Sequence, residues 1–573
     1  MKRREIIKQY IESLKEDQEL DYIFPILLER MGYRVLSTPC QSKGQSQYGR
    51  DVVAIKGQNG QKTLFLFELK GFGAKDITDR TLNEPDGLIE SLRASKYTEY
   101  EDPSIPGLSG FPRYYVFVHN GLIDANAKPT YSGFIKKEFP DGNFEEWDIE
   151  LLTTYFSDFL FDETLLTDDE SYRLFKKILV LLDGEGNNYE DISTLVQLQL
   201  KKITSAKKEN RRLILNTFAS LRLIAHMVHY YSVECQNLLP AKYCIDTIVL
   251  KTWAWILKSK KENKSSIIKH FNSLVLLQIQ IYEEYINKIL QVVLFPKGLY
   301  SFESSDTEYM FYPLRCYDFL GDLVYFYFLT KSYAEISEDE LRNRLNILKN
   351  VIENNNACTM PLLDTNSIVI QMVFKYMYMH AENQDDINSL GKYLLCTVIN
   401  LMKRYDKQKM WPEMHGNRIA LAKSIYKKDE DYHCDSSLLL IVAFELLAYL
   451  NMPEFYSALK QKVDESEVNL QIAFPITDEF DIEQLLFEKR LNNELAVQTG
   501  IKLPETLKDF QSRFEKKYKS IAYRTDKVGY WFLRVLAHKY YETDLFPDFL
   551  RRVFSLFSLM TDSQRNNKIT ARK

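Results

Sequence analysis

Residues 49–71 read GRDVVAIKGQNGQKTLFLFELKG. Val52, Val53 and Ile55 make one apolar run, and Leu64, Phe65, Leu66 and Phe67 make a second. Asn59-Gly60 lies between them. That dipeptide is the strongest short-range hairpin signal, because a two-residue turn needs positive φ at both positions. Counting outward from the turn pairs Gln58 with Gln61, Ile55 with Leu64 and Asp51 with Glu68. Opposed residues carry Cβ atoms about 4.5–5.5 Å apart on one face. Lys70, two residues past Glu68, shares that face. The hairpin is thus apolar along its length and gathers two acids and a lysine at its open end.

Two carboxylates about 5 Å apart repel by ~3 kcal/mol at an effective dielectric near 20. A positive charge or a proton must accompany them. Lys70 can neutralise one acid. A hard divalent cation suits the oxygen-rich space between two, and Mg²⁺ is the usual choice where two carboxylates meet a substrate phosphate. The alternative is an ion-pair cluster at a sheet edge, with Asp51 and Glu68 solvated and Lys70 between them.

The surrounding sequence is mixed α/β from residue 1 to about 160. REIIKQYIESL opens as a helix. Leu20, Phe24, Leu27, Leu28 and Met31 then recur at helical spacing, and Gly32 ends that helix. YRVL (33–36) reads as a first strand. The hairpin follows, then a helix in PDGLIESLRASKYTEY with Pro85 near its start. A Pro-, Ser- and Gly-rich loop (102–112) leads to a strand RYYVFVHN (113–120). NFEEWDIELLTTYFSDFLF suggests a short strand and a closing helix. The order is α-β-β-β-α-β with a terminal β-α piece.

Asp51 followed by Glu68-Leu69-Lys70 at the end of an apolar strand resembles the PD-(D/E)XK phosphodiesterase motif. Its surroundings resemble the restriction-endonuclease-like fold, and within it the Mrr-like family that cuts DNA. LLERMGYRV is similar to the helix and strand that precede the site in that family. GRDVVAI is similar to its first acidic strand, FLFELKGF to its E-x-K strand, and YYVFVHNG and EEWDIELLTTY to its later elements. The likeness spans about residues 15–160. It implies that Asp51 and Glu68 ligate Mg²⁺ or Mn²⁺, with the Leu69 carbonyl as a further ligand. It implies that Lys70 positions or deprotonates the attacking water or stabilises the developing charge. The product is then a cleaved phosphodiester, usually with a 5′-phosphate. Many relatives add a glutamate from the first helix; here Asp21 and Glu19 are the nearest candidates, Tyr22 stands at the aligned position, and Pro25 interrupts the helix.

Arg50 and Lys75 flank the site and are candidate phosphate contacts, with solvated surface charge as the alternative. His119 and Asn120 end a strand expected beside the Glu68 strand and are candidates to face the same cleft. His226 and His229 share a helix face without an acidic or thiol partner, so packing is favoured over metal. HCD (433–435) is too short to be a nucleophile signature. Lysines and arginines cluster at 201–212 and 258–264; solvated helix faces explain most such runs. No Walker A pattern is present.

Beyond about residue 163 the character changes. Polar text at 163–192 reads as a boundary, and most later periodic stretches are helical without a fixed repeat. The expected organisation is a nuclease-like domain over 1–165, a helical domain over 193–455 and a C-terminal helical subdomain over 456–573. The whole is an α/β restriction-endonuclease-like domain followed by a large all-α region. With 573 residues, net charge −5 and a pI of about 6.0, no global basic signal for nucleic acid exists, and any such site is a local patch or metal-assisted. Seven cysteines, never spaced as C-x-x-C, read as free thiols in a reducing compartment. Residues 1–21, MKRREIIKQYIESLKEDQELD, hold no apolar run and are not expected to act as a signal peptide, and SLLLIVAFELLAYLNM (437–452) is too short for a membrane span and carries Glu445. A cytoplasmic location is expected.

These readings lead to a metal-dependent DNA endonuclease, by analogy a bacterial restriction or antiphage defence effector. Its helical region would recognise, restrain, self-associate or bind a partner protein of a defence system. The alternatives are an RNA-cleaving nuclease, or a helical scaffold or sensor whose nuclease-like domain only binds nucleic acid.

Overall fold

The computed structural model describes residues 3–38, 50–58, 61–71, 77–85, 87–102, 104–160, 168–180, 182, 189–205, 210–302, 307–414, 416, 418–426, 435–475, 481–490, 495–498, 501–514 and 523–543. The Asn59-Gly60 turn, Lys75, Cys40 and Cys434 lie outside them. The chain divides into two compact units. One comprises Met1–Val249 with Lys269–Leu277, the other Leu250–Ile268 with Gln278–Lys573.

The first unit is built on a mixed five-stranded sheet in sequence order: β1 Arg34–Ser37, β2 Val52–Gln58, β3 Gln61–Lys70, β4 Arg113–His119 and β5 Phe144–Trp147. β1, β2 and β3 are antiparallel neighbours, whereas β3, β4 and β5 run parallel. Parallel neighbours need crossovers, and helices supply them. The β3–β4 crossover holds α3 (Asp79–Asn83) and α4 (Leu88–Tyr97), and the β4–β5 crossover holds α5 (Lys128–Glu138). The expected β2–β3 register holds along the described strands, with Ile55 opposite Leu64 and Gln58 opposite Gln61. α5 has no counterpart in the sequence reading.

Each sheet face buries its own apolar set, which is why β3 is apolar at consecutive positions. On one face Val53, Ile55, Leu64, Leu66, Tyr115 and Phe117 pack with Leu88 and Leu92 of α4 and Phe134 of α5. On the other, Phe67 meets Phe24 and Trp147 edge-to-face at 5.3 and 5.4 Å. Phe24 belongs to α2 (Asp21–Arg30), which follows α1 (Arg3–Ser13) and a π-helical turn over Glu16–Leu20. α2 ends as expected at Gly32, whose φ of 84° is left-handed. α6 (Ile149–Phe159) closes the sheet; its N-cap is Asp148, which accepts from the Leu151 amide at 2.9 Å. Arg4 of α1 donates to Thr154 of α6 at 2.6 Å, and Lys8 pairs with Glu150.

The first unit extends past residue 165 to include α7 (Asp169–Val180), α8 (Tyr189–Thr204) and α9 (Arg211–Glu234). α1 lies along α9, and α7 and α8 pack in series against it. The start of α10 (Leu239–Lys258) and residues 269–277 of α11 (Ser265–Val293) complete the unit.

The second unit is predominantly helical, from α12 (Glu308–Tyr333) to a last described helix at Trp531–Tyr541. Its interior is aromatic, with Phe328 edge-to-face on Trp531 at 5.0 Å, and Trp253 Nε1 donating to Thr525 at 3.0 Å. Two short β pairs, Ser436–Ser437 with Asn469–Leu470 and Ile472–Pro475 with Leu495–Gln498, depart from the expected all-α content. The apolar stretch at 437–452 forms a buried helix, Leu439–Tyr449. Among the described residues no helix is long and apolar enough to cross a membrane.

Candidate active site

Asp51 stands where β2 begins and Glu68 and Lys70 where β3 ends, so the hairpin brings the three together. The last ladder pair is Val52 with Phe67. Counting from the turn would next pair Asp51 with Glu68. Instead the Asp51 amide donates to the Phe67 carbonyl at 2.8 Å, and its carboxyl Oδ2 accepts the Leu69 amide at 2.7 Å. A side chain thus takes the place of a backbone rung. The amide and carbonyl of one strand residue point to the same edge. The Leu69 carbonyl therefore faces the Asp51 side of β3, as its amide does.

Glu68 is 3% exposed, and its Oε2 is buried without a hydrogen-bond partner among the described residues. Oε1 is 3.1 Å from Lys70 Nζ. The same Nζ is 3.1 Å from Oε1 of Glu16, whose Oε2 accepts the Gly71 amide at 3.2 Å. One lysine therefore bridges two carboxylates.

The electrostatics follow from burial. Burial, then the Glu68 charge, push the Asp51 carboxyl up to about 8, against the pull of Lys70 and the Leu69 amide. Burial also raises Glu68, while Lys70 and the nearby Ser91 hydroxyl of α4, which makes no hydrogen bond to Oε2, pull it back. Glu68 has the ion pair, so Asp51 holds the proton at neutral pH in the metal-free protein. Burial works against the Lys70 charge, but Glu68, Glu16 and Asp51 outweigh it and its pKa is raised.

Glu16 was not among the expected residues. The segment SLKEDQELD offers several acids, and the resemblance points to Asp21 and Glu19 as those nearest the position of the relatives' helix glutamate. The π-helical turn changes which acid arrives: Leu20 donates to the Lys15 carbonyl five residues back, at 2.9 Å. The extra residue swings Glu16 to Lys70. Glu19 instead caps this turn by accepting the Lys15 amide at 2.6 Å, and Asp21 occupies the first turn of α2. A Cβ at Gly71 would lie 2.2 Å from the Glu16 backbone nitrogen, so the glycine after Glu68-Leu69-Lys70 permits this approach.

The flanking candidates are engaged in holding the site together. Arg50 is 8% exposed and donates to the Thr98 and Glu99 carbonyls at 3.0 and 3.2 Å, just beyond the end of α4. Asn120 is buried and its Nδ2 donates to the carbonyls of Ile11 and Leu14 at 2.8 and 2.9 Å. It pins the end of α1 from which the Glu16 turn departs. His119 lies opposite Lys70 in the parallel register and is 1% exposed. Its Nδ1 faces the Gly121 carbonyl at 3.0 Å and its Nε2 the Glu146 carboxylate at 3.1 Å. Its ring stacks on Phe117 with centroids 4.7 Å apart. Lys75 falls outside the described residues. His226 and His229 are buried on α9 with ring centroids 6.3 Å apart. Among the described residues no group of three or more His, Cys, Asp or Glu side chains is arranged to hold a metal ion. The donors at the hairpin end number two carboxylates and one carbonyl.

Comparison with protein-family models, with curated proteins and with solved structures finds no match.

Proposed function

We propose that the first unit is a restriction-endonuclease-like domain of the PD-(D/E)XK type and that the chain is a metal-dependent DNA endonuclease. The observation that carries this reading is the buried Asp51–Glu68 pair with Lys70 at the end of β3. A carboxyl pushed up to about 8 and a buried orphan oxygen on its neighbour mark a site short of positive charge. Asp51, Glu68 and the Leu69 carbonyl are an all-oxygen donor set that suits Mg²⁺ or Mn²⁺. When bound, such an ion would polarise the scissile phosphate and acidify a water.

The chain's own residues do the rest. Leu69 fixes the Asp51 carboxyl through its amide and so sets where that group presents its second oxygen. Lys70 supplies a permanent positive charge beside the phosphate position, and its two carboxylate partners keep it protonated. That favours orientation of water and stabilisation of developing charge over proton abstraction by Lys70. Glu16 holds the Lys70 ammonium in place, and Asn120 and Gly71 hold the Glu16 turn.

Plasmid DNA incubated with Mg²⁺ or Mn²⁺ tests this reading, with Asp51→Ala and Lys70→Ala as controls. The expected result is nicking by the wild type and its loss in both variants; equal nicking by all three rules the site out. Labelled DNA and RNA digested side by side separate the two substrate classes. A domain that binds nucleic acid without cutting is the second reading, favoured by the commitment of Lys70 to two carboxylates. It predicts no Mn²⁺ site that depends on Glu68.

A further inference from the structure

Arg222 on α9 is 5% exposed. Its guanidinium makes no hydrogen bond or ion pair among the described residues, and its Nε is fully buried. Removing a charge from water without a partner is costly. The carboxylate that acts on it is Glu5 of α1, at a distance, and that carboxylate accepts from Gln9 at 3.4 Å.

More positive charge converges on the same place. Arg211, Phe218 and Arg222 share a helix face at spacings of seven and four residues. His270, in the part of α11 that belongs to this unit, packs its half-buried ring on Phe218 with centroids 6.3 Å apart. Lys269 precedes it, and Lys269 and Arg211 are exposed. None of these four basic groups bonds a carboxylate among the described residues. Burial, then Arg222, Lys269 and Arg211, hold the His270 pKa below its ordinary value, so the cations feel one another.

We propose that this face of α9, with Lys269 and His270 of α11, binds the phosphate group of a small phosphate ester. A guanidinium with an open fork matches phosphate oxygens. The exposed Arg211 and Lys269 give a rim that draws an anion toward the buried Arg222. A phosphodiester within a duplex is flanked by sugars on both sides and cannot reach a side chain so deeply placed, whereas a terminal phosphate can. The site is separate from Asp51, Glu68 and Lys70 and does not depend on the nuclease reading.

Calorimetric titration of the full chain in phosphate-free buffer tests it, with inorganic phosphate, ATP and a DNA duplex as probes. The expected result is one saturable site for phosphate and for ATP, weakened about tenfold or more by Arg222→Met, with duplex binding unchanged. Arg222→Met replaces an unpaired buried charge with an apolar chain of similar length, so the free variant should melt at or above the wild-type temperature. Should it fail to fold, Arg211→Ser with Lys269→Ser, both at exposed positions, carries the test through a several-fold loss of phosphate affinity. Equal phosphate binding by wild type and the folded variant, an effect confined to the duplex, or no binding at millimolar phosphate overturns the proposal.

Discussion

Asp51→Asn separates the chemistry of the acid pair from its packing. Asparagine matches the protonated form of aspartic acid in size, and its Oδ1 can accept the Leu69 amide that Asp51 Oδ2 accepts at 2.7 Å. The wild-type carboxyl, with its pKa raised from 3.8 to about 8, is protonated in the folded metal-free protein and ionised in the unfolded chain near neutral pH. A raised folded-state pKa gives stability that is fully present below about pH 4 and lost as pH rises through about 8. At ~1.4 kcal/mol for each tenfold change, the ceiling on that loss is ~5–6 kcal/mol. Because Asp51 shares its proton economy with Glu68, at least ~2 kcal/mol is the working expectation. The variant lacks this dependence. Denaturant midpoints in chelator at about pH 6 and about pH 9 should therefore show Asp51→Asn gaining on the wild type as pH rises. Parallel pH profiles for the two proteins would refute the argument that Asp51 holds a proton forced on it by burial and Glu68.

Lys70→Met leaves Glu68 buried beside Asp51 without its cation and should cost about 2–4 kcal/mol in chelator; Mn²⁺ should restore most of it, and a thermal melt with and without metal reads both. Gly71→Ala forces the Glu16 backbone away from β3 and should cost about 1–3 kcal/mol, with nicking reduced as Lys70 loses one anchor. Asn120→Ala leaves the end of α1 without two side-chain hydrogen bonds; about 1–3 kcal/mol of stability should go with them, with faster amide exchange over residues 11–16. Mn²⁺ binding should release a proton below about pH 8, because Asp51 must ionise to bind; titration in buffers of different ionisation enthalpy measures it, and no buffer dependence would contradict the assignment.

The hairpin was legible because a two-residue turn fixes register by counting, and the apolar runs on both sides leave that register unopposed. The order of elements along the chain was legible apart from α3 and α5, down to the short strand and closing helix within residues 143–161, whereas the order of strands in the sheet was read only as far as β4 beside β3. Glu16 was not legible. Its approach to Lys70 depends on one π-helical residue, whereas the resemblance directs attention to acids nearer the apolar pair of α2, Asp21 and Glu19. Arg50 read as a phosphate contact or a solvated charge and Asn120 as a group facing the cleft, and only the tertiary structure shows them buried on carbonyls just past α4 and at the end of α1. α5 was missed because KPTYSGFIKKE has a weak apolar stripe and a central glycine. The short β pairs of the second unit are too brief for a period to register.

The measurement closest to the central claim is the location of Mn²⁺ by anomalous diffraction from crystals grown with the ion. The account predicts a peak held by the Asp51 and Glu68 carboxylates and the Leu69 carbonyl, absent from a Glu68→Gln crystal grown the same way. Wild-type crystals in saturating Mn²⁺ with no peak at that position would contradict it.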